Sequence, residues 1–212
     1  ALGLGRRQDH EITWPTEVPG ATDAVDAAAG AYHSAILTSD GKVKTFGAGQ
    51  LGQLGRDVST SGQKDGADLP VDGLPCEMEG LPRRRIARIG TGFYNTFAIS
   101  QDGKLFCVGE NQNKQCGECS GNANLVRATL ESELAGLDVL IVDGGYCHTL
   151  VVSRDGSLYS MGCPDDGQRG IGAVHGTLPV LSQVTFGDGK GTRVRTAQAG
   201  ANHSVAVLED GS

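Results

Sequence analysis

Residues 145–162 read GYCHTLVVSRDGSLYSMG, and this pattern occurs four times along the 212-residue chain. Every copy starts with glycine, two variable residues, His or Asn, and then Ser or Thr. An Asp-Gly pair follows, with its glycine eight residues after the His or Asn. The copies start at Gly30, Gly92, Gly145 and Gly200, so one unit is about 53 residues long. A period of this length is typical of propeller blades.

Two β-prone runs flank Asp-Gly in each unit, as residues 150–152 and 158–161 do in the third. Such runs predict a β-hairpin. We expect a tight primed turn, since glycine adopts positive φ at almost no cost and Asp at little. The four pairs are Asp40-Gly41, Asp102-Gly103, Asp155-Gly156 and Asp210-Gly211. The runs do not alternate between apolar and polar residues, which indicates that protein covers both faces of these strands.

Two further strands are predicted in each unit. One precedes each motif, at residues 25–29, 86–89, 139–142 and 194–197, and another lies upstream, around Val18, Met78, Leu130 and Val180. Proline accompanies three of the upstream segments, at positions 15, 75 and 179. Because proline lacks a backbone N–H, these should be outer edge strands. A helix capped by Thr129 and stopped by Gly136 is the alternative for residues 130–135, and we favour the strand.

Four strands per unit predict an all-β fold, namely a β-propeller of four-stranded antiparallel blades. Residues 1–212 form one partial propeller domain in this interpretation. Its approximate units are 1–55, 56–117, 118–170 and 171–212, of which the first and the last are incomplete. Ala1-Leu2-Gly3 aligns with Gln53-Leu54-Gly55, so we expect both ends to be interior cuts of a longer chain.

These motifs resemble the regulator of chromosome condensation repeats. Units of that family combine G-x-x-H-[ST], an apolar strand, D-G, a second strand that ends in Gly, and G-Q-x-G. The chain has strand-ending glycines at Gly47, Gly109 and Gly162, and a Gln-x-Gly element at positions 53, 115 and 168. The resemblance implies a ring of seven blades, of which about four are present. Remaining blades or another chain would then close the ring. Kelch repeats fit less well, because a Gly-Gly doublet occurs only once.

The repeated polar residues and glycines are predicted to be structural. They are Gly30, His33, Gly41, Gly47, Gly92, Asn95, Gly103, Gly109, Gly145, His148, Gly156, Gly162, Gly200, His203 and Gly211. The histidines share one blade position, so blade rotation should separate them, whereas metal ligands or a catalytic triad must converge. Asn at position 95 indicates hydrogen bonding to backbone. We therefore predict a non-enzymatic protein with no catalytic residue, no metal ion and no cofactor.

The six cysteines show no framework spacing, and Cys107 and Cys147 fall at strand positions. We predict free buried thiols in an intracellular protein. Cys116 and Cys119 form a single C-x-x-C, for which zinc binding or redox activity is the alternative. The expected location is cytoplasmic, with the nucleus and the cilium as alternatives.

A formal charge of −7 and a pI near 5.2 argue against direct nucleic-acid binding and against anionic membrane surfaces. The chain has no apolar stretch of the roughly 20 residues that a membrane helix needs.

Length varies most at residues 56–74, 110–127 and 164–178, which predicts rim loops that bind protein partners. We predict a protein–protein interaction platform, a propeller module of a larger protein or assembly. Family resemblance implies a second candidate, a guanine-nucleotide exchange factor for a Ran-type small GTPase.

Overall fold

The computed structural model describes residues 2–5, 12–58, 71–82, 85–118, 124–131, 134, 136–172, 178–187 and 192–212. Over these ranges the chain is built from β-strands. They are β1 (Ala24–Ala29), β2 (His33–Thr38), β3 (Val43–Ala48), β4 (Val71–Glu77), β5 (Ile86–Thr91), β6 (Asn95–Ser100), β7 (Leu105–Gly109), β8 (Leu125–Leu130), β9 (Val139–Gly144), β10 (His148–Ser153), β11 (Leu158–Gly162), β12 (Ser182–Val184), β13 (Val194–Ala199) and β14 (Ser204–Leu208).

The strands form three four-stranded antiparallel sheets and one two-stranded sheet. Their orders are β1-β2-β3-β4, β5-β6-β7-β8, β9-β10-β11-β12 and β13-β14. The first strands of successive sheets contact one another, β1 with β5, β5 with β9 and β9 with β13. The sheets are therefore blades that stand side by side around inner strands, and the predicted all-β propeller architecture is confirmed.

Aliphatic side chains fill the space between neighbouring blades. Leu37 and Val43 of the first blade pack with Ile86 and Ala98 of the second, and equivalent clusters join the second blade to the third and the third to the fourth. Every residue of β6 and of β10 is buried. In the second and third blades this strand thus has protein on both faces, which explains why its sequence does not alternate between apolar and polar residues.

Each outer strand pairs with the hairpin that precedes it in the chain. Strand β4 pairs with β3, β8 with β7, and β12 with β11. A blade consequently runs from its inner strand to the outer strand downstream, as from residue 24 to residue 77. The predicted units 1–55, 56–117, 118–170 and 171–212 divide the chain at other points, and they remain a prediction.

The edge assignment holds for Pro75, which lies within β4. Pro179 lies just before β12, and the described residues around Val18 form no strand. Leu130 ends strand β8, so the strand was the correct choice over the helix for that residue. Most of the competing helix lies beyond it, where residues 132, 133 and 135 are outside the described part of the chain.

The hairpin turn differs from the predicted primed turn. Leu37 pairs with Val43, the Gly41 amide donates to the Thr38 carbonyl, and Gly41 has a φ of +83°. Asp40 does not have positive φ, since Lys114 is the single non-glycine residue with it in the described ranges. The loop therefore has three residues and a glycine bulge. The Asp40 carboxylate instead accepts a hydrogen bond from the Thr38 hydroxyl, at 2.5 Å.

The turn glycines also bond to the next blade. The carbonyl oxygens of Gly41, Gly103 and Gly156 accept hydrogen bonds from the amides of Ile86, Val139 and Val194, at 3.1, 2.9 and 2.8 Å. Each acceptor belongs to a hairpin, and each donor opens the inner strand of the following blade. The Asp-Gly turns thus hold one end of every junction between described blades.

The prediction of free buried thiols is wrong for four cysteines. Cys107 is bonded to Cys116 and Cys147 to Cys163, whereas Cys76 is free and exposed. The pairs were not evident from spacing because their proximity depends on the fold. Cys107 lies in β7 and Cys116 in the loop after it, whereas Cys147 directly precedes β10 and Cys163 directly follows β11. Cys116 is not available for a C-x-x-C site, and Cys119 lies outside the described residues. Disulfides persist mainly in oxidising compartments, so the cysteine argument for an intracellular location no longer holds.

Candidate functional site

The leading motif residues of all blades lie on one face of the molecule. His33 opens β2 opposite Gly47, which lies near the end of β3, so the β1–β2 loop and the β3–β4 loop leave the sheet at the same end. The Asp-Gly turns lie at the opposite end. We call the first end the motif face. It comprises the four loops that begin at the motif glycines and the loops that follow β3, β7 and β11.

Backbone hydrogen bonds connect the motif loops of neighbouring blades. The Ala31 amide donates to the Phe93 carbonyl at 3.3 Å, and the Phe93 amide donates to the Gly145 carbonyl at 3.0 Å. The Tyr146 amide donates to the Ala201 carbonyl at 2.9 Å. These bonds hold four loops, which are 53 to 62 residues apart in sequence, in one continuous arc.

The Ser or Thr of each motif bonds to the preceding blade. The Thr96 hydroxyl donates to the Gln53 carbonyl at 2.7 Å, Thr149 to Gln115 at 2.7 Å, and Ser204 to Gln168 at 2.6 Å. The three glutamines are buried and belong to the Gln-x-Gly elements. Their side-chain Oε1 atoms accept from backbone amides two residues earlier, at 2.8 to 2.9 Å. The element therefore presents its own carbonyl to the next blade.

Histidine adds a second bond across the same junction. The Nε2 atom of His33 lies 2.9 Å from the Thr96 hydroxyl and 3.1 Å from the Asn95 carbonyl. His148 repeats the arrangement, with Nε2 at 3.0 Å from the Ser204 hydroxyl. Since each hydroxyl gives its proton to a glutamine carbonyl, it accepts from the histidine, which fixes the Nε2–H tautomer.

Asn95 departs from this arrangement. Its Nδ2 donates to the Glu110 carbonyl at 2.6 Å, within its own blade, and lies 3.3 Å from Cys116 Sγ. The junction between the second and third blades therefore keeps the Thr149 bond to Gln115 without a histidine.

The leading glycine is required where histidine follows. A Cβ atom on Gly30, Gly145 or Gly200 would overlap the Cε1 atom of the histidine three residues later. At Gly92, where Asn95 follows, the nearest atom to a Cβ is the Gly145 carbonyl oxygen at 3.2 Å. The G-x-x-H spacing thus arises because the imidazole packs directly against the glycine Cα.

Burial keeps both inter-blade histidines neutral. It lowers the pKa of His33 to about 4 and that of His148 to about 4, and the rings are 2% and 1% exposed. Their Nδ1 atoms are buried with no hydrogen-bond partner in the described part of the chain. A protonated imidazole would bring a second, unsatisfied N–H into this environment.

The histidines bond across different junctions. His33 acts between the first and second blades, and His148 between the third and fourth. Within the described ranges, no group of three His, Cys, Asp or Glu side chains could hold a metal ion. The structural assignment of the motif residues remains our interpretation, and the geometry gives each of them a packing or hydrogen-bonding contact to explain it.

An aromatic cluster on the motif face was missed in the sequence. Tyr32, Phe93, Tyr94 and Tyr146 pack with ring centroids 5.0 to 6.3 Å apart and come from three blades. Tyr32 is 55% exposed and Tyr146 46%. A signal was available, since all four occupy the variable positions directly after a motif glycine. We call these four residues the aromatic cluster.

Acidic residues lie on the same face as the aromatic cluster. Glu110 follows β7, and its amide donates to the Tyr94 carbonyl at 3.1 Å. Burial raises the pKa of Tyr94, and Tyr32, Tyr146 and Glu110 add smaller contributions in the same direction. Asp165 and Asp166 lie exposed in the loop after β11.

The two arginines of the described motif-face loops are buried and engaged. Arg56 forms an ion pair with Asp72 at 2.8 Å, and Arg169 donates to the Ser160, Pro179 and Val180 carbonyls. Both tie the outer strand of a blade to the loop that precedes it. Arginine is mostly exposed in proteins and is buried only when it is paired. Sequence reasoning missed these two because their partners become adjacent only in the fold.

The predicted rim loops 56–74, 110–127 and 164–178 leave from the motif face. Their central parts, residues 59–70, 119–123 and 173–177, lie outside the described residues. The described parts that flank them include Arg56, Glu110 and Asp165. Their role in partner binding remains a prediction.

Blades joined by G-x-x-H-[ST] motifs and Gln-x-Gly carbonyls define a particular class of β-propeller. The sequence profile of the regulator of chromosome condensation (RCC1) repeat matches residues 40–99 and 155–207. A second profile of that repeat matches residues 24–53, 86–115 and 139–168. The chain belongs to the RCC1 repeat family.

Curated relatives are about 30% identical to the chain over the aligned residues. Protein pim1 of Schizosaccharomyces pombe is 32% identical, over 87% of this chain and 35% of its own length. The guanine nucleotide exchange factor SRM1 of Saccharomyces cerevisiae is 30% identical, over 98% of this chain and 45% of its length. The human E3 ubiquitin-protein ligase HERC2 is 28% identical over 98% of this chain, which is 4% of that protein. The chain spans less than half the length of these relatives.

A solved structure of the same architecture is that of Prp20p from Saccharomyces cerevisiae. It matches with a TM-score of 0.79 and 21% identity, over 97% of this chain and 49% of that chain. This similarity supports the fold. No helix in the described part of the chain is long and apolar enough to cross a membrane.

The four leading glycines should differ in their tolerance of alanine. We predict that Gly145→Ala lowers the free energy of unfolding by about 2–4 kcal/mol, because the added Cβ meets the His148 ring and the Gly200 carbonyl, and neither can move freely. Gly92→Ala is the matched control and should cost about 1 kcal/mol or less. Urea denaturation of both variants measures this. Equal costs would contradict the packing reason for G-x-x-H.

The buried histidines predict a loss of stability in weak acid. Their pKa is lower in the folded state than in the unfolded chain, so stability is complete above about pH 6.5 and falls as pH drops toward 4. Between pH 7.5 and 5 each histidine should cost on the order of 1–2 kcal/mol. Denaturation curves at both pH values should show a smaller difference for His33→Asn combined with His148→Asn. An unchanged pH dependence in that variant would refute this explanation.

Proposed function

We propose that the chain is a non-enzymatic protein–protein interaction platform, a propeller module of a larger protein or assembly. The aromatic cluster carries this proposal. Aromatic residues are enriched at the cores of protein interfaces, and tyrosine is among the residues that most often anchor them. Two of the four residues, Tyr32 and Tyr146, are about half exposed and so are available to a partner.

The rigidity of the motif face supports a binding role. Inter-blade backbone bonds hold the loops that carry the aromatic cluster, and these loops are short. A surface that is already ordered loses little conformational entropy when a partner binds. The described ends of the predicted rim loops lie on the same face as the aromatic cluster.

The outer faces of the first and fourth blades support the expectation that remaining blades or another chain close the ring. Val25 in β1 is 63% exposed, and Val205 and Val207 in β14 are 56% and 36% exposed. Equivalent strands at inner junctions are covered by the next blade. We propose that remaining propeller blades or another chain cover these surfaces and close the ring.

Nucleotide exchange on a Ran-type small GTPase is the second candidate. It is favoured by the 30% identity to SRM1, whose name states an exchange activity, over 98% of the chain. The similarity to a ligase such as HERC2 weakens this argument, since the same repeat occurs in proteins of other activities. The test measures nucleotide release from a purified Ran-type GTPase in the presence of this protein. Release at the spontaneous rate would exclude the exchange activity.

The interaction platform predicts that partner capture depends on the motif face. Immobilised wild-type protein and a Tyr32→Ser, Tyr146→Ser variant should be compared for proteins retained by each and identified by mass spectrometry. We expect the double variant to lose at least one partner that the wild type retains, because it removes the exposed anchors while leaving buried residues intact. Glu209→Gln, on the opposite face, is the control. Identical sets from all three proteins would contradict the proposal.

A further inference from the structure

The charges on the two faces of the molecule are arranged differently. On the turn face, three exposed carboxylates form ion pairs, Glu77 with Lys42 at 2.6 Å, Asp138 with Arg154 at 2.8 Å and Glu209 with Arg193 at 3.1 Å. On the motif face, Glu110, Asp165 and Asp166 have no ion-pair partner among the described residues. A positively charged group from outside would therefore find unmatched negative charge on the motif face.

The cations of the described motif-face loops are already occupied. Arg56 pairs with Asp72, Lys114 pairs with Glu118 at 2.8 Å, and Arg169 is buried against carbonyl oxygens. None of them reaches Glu110. Among the residues that the structure describes, the uncompensated charge of this face is consequently negative, in line with the net charge of −7 for the chain.

A partner group on the motif face must fit the aromatic cluster as well as the negative charge. Tyr94 touches Tyr32, Phe93 and Tyr146. Glu110 is its neighbour across the blade, because the Glu110 amide donates to the Tyr94 carbonyl at 3.1 Å. An aromatic face attracts a cation that lies within about 6 Å of its centroid. Arginine satisfies both features at once, because its planar guanidinium stacks on a ring while its N–H groups donate to a carboxylate.

We propose that the aromatic cluster and the Glu110 carboxylate bind an arginine side chain that a partner protein presents to the motif face. This inference rests on the proposed function and specifies the chemistry of the partner. Tyr32 and Tyr146 supply exposed rings on two sides of Tyr94, and Glu110 supplies the counter-charge. Asp165 and Asp166 attract the basic segment to this face before contact.

The direct test measures binding of a short peptide. A capped, unstructured peptide with the sequence Gly-Ser-Arg-Gly-Arg-Ser-Gly is titrated into the purified protein and followed by calorimetry and amide NMR. Peptides with Lys, Gln or Glu in place of Arg are the comparison probes. We expect the arginine peptide to bind at least threefold more tightly than the lysine peptide and at least tenfold more tightly than the glutamine peptide. The shifted resonances should include those of residues 93–95 and 146.

Three variants connect binding to the proposed residues. Glu110→Gln, and separately Tyr32→Ser combined with Tyr146→Ser, should each weaken the arginine peptide at least fivefold, and Glu209→Gln should leave its affinity unchanged. Raising the salt concentration from 50 to 500 mM should weaken binding of the arginine peptide, because salt screens the attraction between arginine and the Glu110 carboxylate. Equal binding of the Arg, Lys and Gln peptides, tighter binding of the Glu peptide, or unaffected binding in both motif-face variants would overturn the inference.

The outcome separates this inference from the function on which it rests. If the arginine peptide fails to bind while partner capture still depends on Tyr32 and Tyr146, the platform stands and the arginine assignment is wrong. If capture is also insensitive to those tyrosines, the platform itself is wrong.

Discussion

The structure depends on the hydrogen bond from each motif hydroxyl to the carbonyl of a glutamine in the preceding blade. It occurs at all three described junctions, from Thr96, Thr149 and Ser204, with a narrow range of distances. The acceptor is buried, so its loss would leave an unsatisfied carbonyl between two sheets, which costs about 1–3 kcal/mol. Histidine strengthens two of these junctions and is absent from the third. The hydroxyl is therefore the common element, and the imidazole is an addition to it.

This bond and the bonds of the turn glycines act at opposite ends of each blade. Between them lies an aliphatic core, which is non-directional and would by itself allow the sheets to slide. The two polar contacts fix how far one blade is rotated relative to the next. The same rotation brings the variable residues after each motif glycine side by side. The aromatic cluster therefore depends on the rotation between neighbouring blades. Because the junctions between the blades are rigid, the surface that carries the cluster is rigid as well.

Much of the fold could be predicted from the sequence because the same pattern of strands and turns recurs four times. The inner strand, the hairpin and the edge position of Pro75 follow from apolar runs, Asp-Gly and proline. The turn type could not be predicted, since Asp-Gly suits both a two-residue loop and a three-residue loop with a glycine bulge. The partner of each outer strand was also undetermined, because the pattern within one unit does not show whether that strand pairs with the hairpin before it or the one after.

The candidate site was harder to predict for a related reason. Each aromatic residue of the cluster is more than 50 positions from the aromatic residue of the next blade. Their proximity becomes evident only when the blades are placed around an axis. The disulfides depend similarly on the fold, which brings Cys107 to Cys116 and Cys147 to Cys163. Residue types in a repeat show what recurs, whereas the aromatic cluster and the disulfides arise at positions where the repeat varies.

The central claim concerns the hydroxyl-to-glutamine bond, and Thr149→Val tests it most directly, since valine keeps the shape and removes only the hydroxyl. Thr149 lies at the junction that has no histidine, so no second bond compensates. Urea denaturation should show a loss of about 1–3 kcal/mol in the free energy of unfolding. A loss below about 0.5 kcal/mol, within the range of ordinary surface substitutions, would contradict the account.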